Sequence, residues 1–138
     1  MCVDGSDRSL EAARIAAEVA NVHKAALTLL HTFQVPVFKE PFPGAPTFAL
    51  PLLDQYERDV KQAVIERTLP AIQAVGTDYD VMEEIGDPVE IIARVADTRG
   101  YDLIVMGGRH VGANKIAPLG SVSHGVLCRA HCTVLIVH

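Results

Sequence analysis

Asp102–Ser123 reads DLIVMGGRHVGANKIAPLGSVS, and this stretch sets the frame for the rest of the chain. Asp102–Met106 reads as a strand, and from Leu103 on it is apolar without alternation, as expected of a strand covered on both faces. A glycine-bearing loop over 107–120 follows. The stretch closes on Gly120-Ser121-Val122-Ser123, which starts a helix reaching about Ala130. Strand, glycine turn and helix in this order make the repeating unit of a parallel α/β protein. A further apolar run, Cys132–Val137, is the next strand.

Working toward the amino end, Asp87-Pro88-Val89-Glu90 predicts a helix start: an aspartate N-cap, proline at the first helical position and glutamate three residues past the cap. That helix runs to about Arg99, where Gly100 suits a left-handed cap. Tyr79–Ile85 reads as a strand and Leu53–Thr68 as a helix, which Pro70 should kink or end, with a further turn reaching Gly76. Ala25–Thr32 is another continuous apolar strand. Residues 8–23 are rich in alanine and glutamate at helical spacing, and Met1-Cys2-Val3 is a very short first strand. Between strand two and the next helix, residues 33–52 hold five of the eight prolines and all four phenylalanines. No regular helix is expected there. Two readings stay open: a surface connection packed on the next helix, or a lid or partner-contact loop. Five strands alternating with helices predict one domain over 1–138, a parallel sheet with helices on both faces.

Composition narrows the function. The 138 residues are 49% apolar and 21% charged, with net charge −5, so the chain is neither disordered nor built to hold nucleic acid by general electrostatics. No apolar run approaches the roughly 20 residues of a membrane span. Acidic Asp4, Asp7 and Glu11 at the start speak against a signal peptide, and three cysteines against a disulfide framework. A cytoplasmic protein with free, buried thiols is expected.

In open α/β sheets ligands bind at the carboxyl ends of the strands. Two turns suit that. After strand one, Val3-Asp4-Gly5-Ser6 places a carboxylate able to accept from a sugar or help hold a cation, although Asp4 and Ser6 could simply cap the first helix. After strand four, glycines allow close backbone approach, and a helix amino terminus offers free N–H groups to an anion. The serine hydroxyls of Ser121 and Ser123 add donors. A glycine turn before a serine-capped helix would read the same way without a ligand. No P-loop and no Gly-x-Gly-x-x-Gly fingerprint is present. Cys128, His131 and Cys132, with His124 and His138 nearby, have zinc-type donors, but a helix end and a strand start between them should make the side chains diverge. Ser121 and His124 share a helix face, yet lack an orienting acid and an oxyanion site. His31 is read as a strand-end residue with a satisfied ring.

Taken together, Val3-Asp4-Gly5-Ser6, Leu30-His31, Gly86-Asp87-Pro88, Asp102–Gly107, Leu119–Ser123 and Cys132–Val137 resemble the universal stress protein family along essentially the whole chain. The resemblance implies a Rossmann-like open five-stranded parallel sheet of order 3-2-1-4-5. It implies ATP, with Mg2+ as companion cation, bound as a regulatory ligand in the stress response. It also implies a homodimer through strand 132–137, with no nucleic-acid or membrane partner. The site it implies comprises Val3, Asp4, Thr32, Met106, Gly107, Arg109, His110, Gly120, Ser121, Val122 and Ser123. Thr32 matches the position whose backbone reads adenine, and Asp4 lies near ribose and phosphates. The family signature Gly-x2-Gly-x9-Gly-[Ser/Thr] is met at Gly107 and Gly120-Ser121, but His110 stands at the second glycine. No catalytic or metal-ligating residue is expected, and slow phosphoanhydride hydrolysis is the only chemistry the site suggests. The alternative is a dimeric interaction protein of the same fold in which His110 occludes the phosphate site. A hydrolase or thiol enzyme using Cys128 or Cys132 is a third reading.

Overall fold

A computed structural model describes residues 1–34, 49–108 and 119–138. The elements run β1 (Cys2–Val3), α1 (Asp7–His23), β2 (Leu27–Phe33), α2 (Ala49–Gln73), β3 (Tyr79–Ile85), α3 (Pro88–Arg99), β4 (Leu103–Gly107), α4 (Ser121–Arg129) and β5 (Thr133–Val137). All described strand pairs are parallel.

Local chemistry sets the helix ends. Ser6 caps α1 by accepting the Ser9 N–H at 3.2 Å, and Lys24 closes it in the left-handed region. Asp87 caps α3 by accepting the Glu90 N–H at 3.1 Å, Pro88 occupies its first turn, and Gly100 ends it at φ 67°. These are the caps the sequence predicts. One expectation for α2 needs correction. Ala49–Leu52, inside the proline-rich stretch, are already helical. Pro51 falls in the first turn, where a missing N–H has no intrahelical partner to lose. Pro70 lies inside the helix, which continues to Gln73 and passes into a turn at 74–76, as the further turn expected toward Gly76 allows. So near the carboxyl end its lost bond disturbs only the final turn. The rest of the 33–52 loop question, residues 35–48, lies outside the described residues.

Alternation along each strand feeds two cores. On one face, Leu29 of β2 and Val105 of β4 pack with Ala12, Ala13, Ala16 and Ala17 of α1 and with Ile72 of α2. The alanine stripe lets α1 lie close against the strands. On the other face, Leu30, Ile104 and Met106 pack with Ile91, Ile92 and Val95 of α3 and Val126 of α4. Helices α3 and α4 touch at Gly125, where an added Cβ would stand 2.7 Å from Val89 Cγ2.

The expected single five-stranded sheet of order 3-2-1-4-5 is not what the hydrogen bonds form. A three-stranded ladder, β1-β2-β3, and a two-stranded ladder, β4-β5, lie beside each other. Strand β1 approaches β4 with Cα atoms within 8 Å, but no ladder joins them. The cause is the brevity of β1. Only Cys2 and Val3 pair, opposite Leu30 and His31, while β3 pairs all of Leu27–Phe33. Beyond Val3, the Asp4 N–H turns away to Ser9 Oγ at 3.2 Å.

Candidate functional site

At the carboxyl ends of β1, β2 and β4 lies a cleft of about 350 Å³, inside the range of about 300–1,000 Å³ common for small-molecule sites. Nine residues singled out from sequence line it: Val3, Asp4, Thr32, Met106, Gly107, Gly120, Ser121, Val122 and Ser123. Arg109 and His110, the other two, lie outside the described residues. Cys2, Leu30, Pro88 and Ile92 also line the cleft, and the sequence reading missed them. Pro88 was legible only as a helix-start residue. The tight turn at Gly86-Asp87 is what delivers its ring to the cleft.

The first turn is held from both sides. Asp4 Oδ1 accepts from the Ser6 N–H at 3.0 Å and from the Ser6 hydroxyl at 2.6 Å. Gly5 adopts φ 74°, a conformation that glycine takes without strain. From α2, the Arg67 guanidinium donates to the Gly5 carbonyl at 2.7 Å and to Asp7 Oδ1 at 2.6 Å. No periodicity announces Arg67; it reaches the turn only because α2 crosses α1. The cap role for Ser6 and the exposed carboxylate of Asp4 therefore coexist in one turn.

The second turn differs from expectation in two respects. Ser123 is buried, and its hydroxyl donates to the Gly107 carbonyl at 3.3 Å. It is a brace between β4 and α4, leaving Ser121, exposed at the first helical position, as the serine open to a ligand. Gly107 is constrained by protein, since a Cβ there would stand 2.8 Å from the Arg8 carbonyl carbon and 2.9 Å from the Ser9 nitrogen. Its missing side chain lets α1 lie on the end of β4. Gly120 is the N-cap of α4 and makes no side-chain capping bond, so among the described residues no side chain caps the first-turn amides beside the cleft. The helix dipole adds positive potential there.

Other sequence readings are also revised. The His31 ring is buried and only half satisfied. Nδ1 donates to the Val3 carbonyl at 2.9 Å, while Nε2 has no partner among the described residues. Cys128 is exposed, not buried, and its thiol lies 4.0 Å from His124 Nε2 on the outside of α4. The His124 ring thus faces away from any pairing with Ser121. Cys2 is enclosed on β1, where burial pushes its thiol pKa up. No described helix is long and apolar enough to cross a membrane.

The universal stress protein family model matches residues 1–138. A universal stress protein of Thermus aquaticus, described as lying in the QAH/OAS sulfhydrylase 3′ region, is 35% identical over 140 residues, covering 99% of this chain and 95% of the relative. Among solved structures, the universal stress protein UspA from Lactobacillus plantarum superposes with a TM-score of 0.78 at 25% identity, over 99% of this chain and 94% of that one. A universal stress protein crystallised in complex with cAMP superposes with a TM-score of 0.71 at 29% identity, over 100% of this chain and 93% of that one.

Proposed function

The chain belongs to the universal stress protein family, and we propose that its carboxyl-end cleft binds an adenine nucleotide, ATP with Mg2+, as a regulatory ligand. One observation carries the reading. The exposed carboxylate of Asp4 and the uncapped amino end of α4 line a single cleft, at the place where β1 gives way to β4. A nucleotide needs both characters at once: an acceptor for sugar hydroxyls and donors for anionic oxygens. In this reading the adenine lies against the main chain at Thr32, and the ribose sits between Asp4 and Gly107. The phosphates sit over the amides of Ser121 and Val122 and the Ser121 hydroxyl, with Arg109 and His110 at the loop beyond. The complex of a relative with cAMP supports an adenine ligand in this fold.

The ligand acts by ordering. It bridges the Asp4 turn on one side and the α4 terminus on the other, so it favours the conformer in which both are closed. The protein is read as non-catalytic, cytoplasmic and dimeric through residues 132–137. Strand β5 offers an edge, unpaired among the described residues, that such a dimer would use.

Thermal-shift titration with ATP, cAMP and AMP, each with and without Mg2+, tests the reading. A specific site raises stability by about 2.7 kcal/mol at a hundredfold excess over its dissociation constant. No shift with any of the three at millimolar concentration overturns it and favours the interaction-protein alternative.

A further inference from the structure

Away from the cleft, two metal-type donors meet on the surface of α4. His124 and Cys128 stand four residues apart on this helix, so they share one face. Cys128 Sγ lies 4.0 Å from His124 Nε2, and both residues are exposed. Ser123 and Val126 of the same helix are buried, so the pair sits on the outward side. The cleft is lined instead by the helix's first three residues, Ser121, Val122 and Ser123. The other zinc-type donors diverge, as a helix end followed by a strand start implies. Cys132, just ahead of β5, packs against the core beneath α3 and α4. Among the described residues no three such donors come together. What the fold supplies is a pair.

The spacing of the pair is close to that of a chelate. Thiolate and imidazole bound to one tetrahedral zinc ion stand about 3.6 Å apart, given bonds of about 2.3 and 2.0–2.1 Å. The observed 4.0 Å has to close by only about 0.4 Å, which small side-chain rotations supply. The backbone need not move. Helix α4 is held against α3 where Gly125 meets Val89, so both donors start from fixed Cα positions. The adjacent Arg129 is ion-paired with Glu90 at 3.0 Å, which draws its charge toward α3.

We propose that His124 and Cys128 form a chelating clip for a divalent cation of the zinc class. Sulfur and imidazole nitrogen select such borderline or soft ions over Mg2+ and Ca2+, which take oxygen donors. The clip is thus chemically separate from any Mg2+ that a nucleotide carries into the cleft. As the metal–sulfur bond forms, the thiol gives its proton to solvent and no electron is transferred. The imidazole binds as the neutral ring, through Nε2. Two protein donors leave the other positions of a four-coordinate ion to water. The clip is therefore open and exchanges its ion, unlike the closed four-donor sites of structural zinc.

Titration of the full chain with cobalt(II), with thiols kept reduced by a phosphine and nucleotide left out, tests the clip. A cobalt–thiolate bond gives a near-ultraviolet charge-transfer band. The parent chain is expected to develop that band with one ion per chain, and excess zinc to abolish it. Cys128→Ser should lose the band, and His124→Ala should bind cobalt at least about tenfold more weakly. Both positions are exposed on the helix surface, so neither variant disturbs the core. No band in the parent, a band that survives Cys128→Ser, or unchanged affinity in His124→Ala overturns the clip. One ion per two chains overturns it as well, because the ion would then bridge two copies. With no nucleotide in the titration, failure of the nucleotide reading leaves each of these outcomes unchanged.

Discussion

The Ser123 hydroxyl donates to the Gly107 carbonyl at 3.3 Å, tying the first turn of α4 to the last residue of β4. These residues lie on either side of positions 109–118 in the sequence, so the bond fixes the mouth of the cleft from within the protein. Ser123→Ala should cost about 1 kcal/mol, the usual worth of a neutral hydrogen bond whose acceptor is left unpaired. The midpoint of urea unfolding measures this. If the brace positions the α4 amides for the ligand, nucleotide affinity should fall about fivefold as well.

Gly107→Ala should be worse. The new methyl would meet the Arg8 and Ser9 backbone at 2.8 and 2.9 Å, and backbone cannot rotate aside. Overpacking of this kind costs about 1–3 kcal/mol. Gly100→Ala, where nothing lies within 4 Å but φ is 67°, is the control for conformational strain alone. The Gly107 variant should lose more nucleotide affinity than the Gly100 variant at matched stability, because displacing Arg8 and Ser9 disturbs the Asp4 turn.

His110→Gly separates the two functional readings. If the imidazole turns away from the phosphates, isothermal titration should give an ATP affinity within about threefold of the parent. A gain of about a hundredfold or more would mean that the ring blocks the site and that the parent protein works without nucleotide.

Stability should be greatest near pH 8. The Met1 ammonium has a lowered pKa in the fold, so between that value and about 8 the unfolded chain holds more protons and stability rises with pH. The Cys2 thiol has a raised pKa, so above about 8.5 the unfolded chain holds fewer protons and stability falls. Melting temperature against pH should show both limbs. Cys2→Ala should flatten the alkaline limb and leave the acid one.

Much of this was legible in the residues, for identifiable reasons. Asp87, Pro88 and Gly100 announce α3 because capping is local chemistry, and the parallel architecture follows from apolar runs such as Leu103–Met106 that lack alternation. Nine of the residues expected at a ligand site line one cleft because strand ends converge in any parallel sheet. What sequence could not give is nonlocal. Ser123 looked like a phosphate donor, and only the approach of β4 shows that it serves Gly107. Gly107 looked like a concession to a ligand, and only the placement of α1 shows what it makes room for. Arg67 reaches Gly5 and Asp7 across 62 and 60 residues of sequence. The break between the ladders follows from the two paired residues of β1; the shortness of that strand was legible, but its effect on pairing with β4 is nonlocal.

The approach of Gly125 to Val89 has a mechanical consequence. A helix pair in such close register cannot slide without collision, so α3 and α4 form one stiff jaw, carrying Pro88 and Ser121 together. The opposite jaw is the Asp4 turn, tied within itself through Ser6 and Ser9 and from α2 by Arg67. Whatever enters is therefore gripped between two braced walls, with the paired helices serving as the anvil.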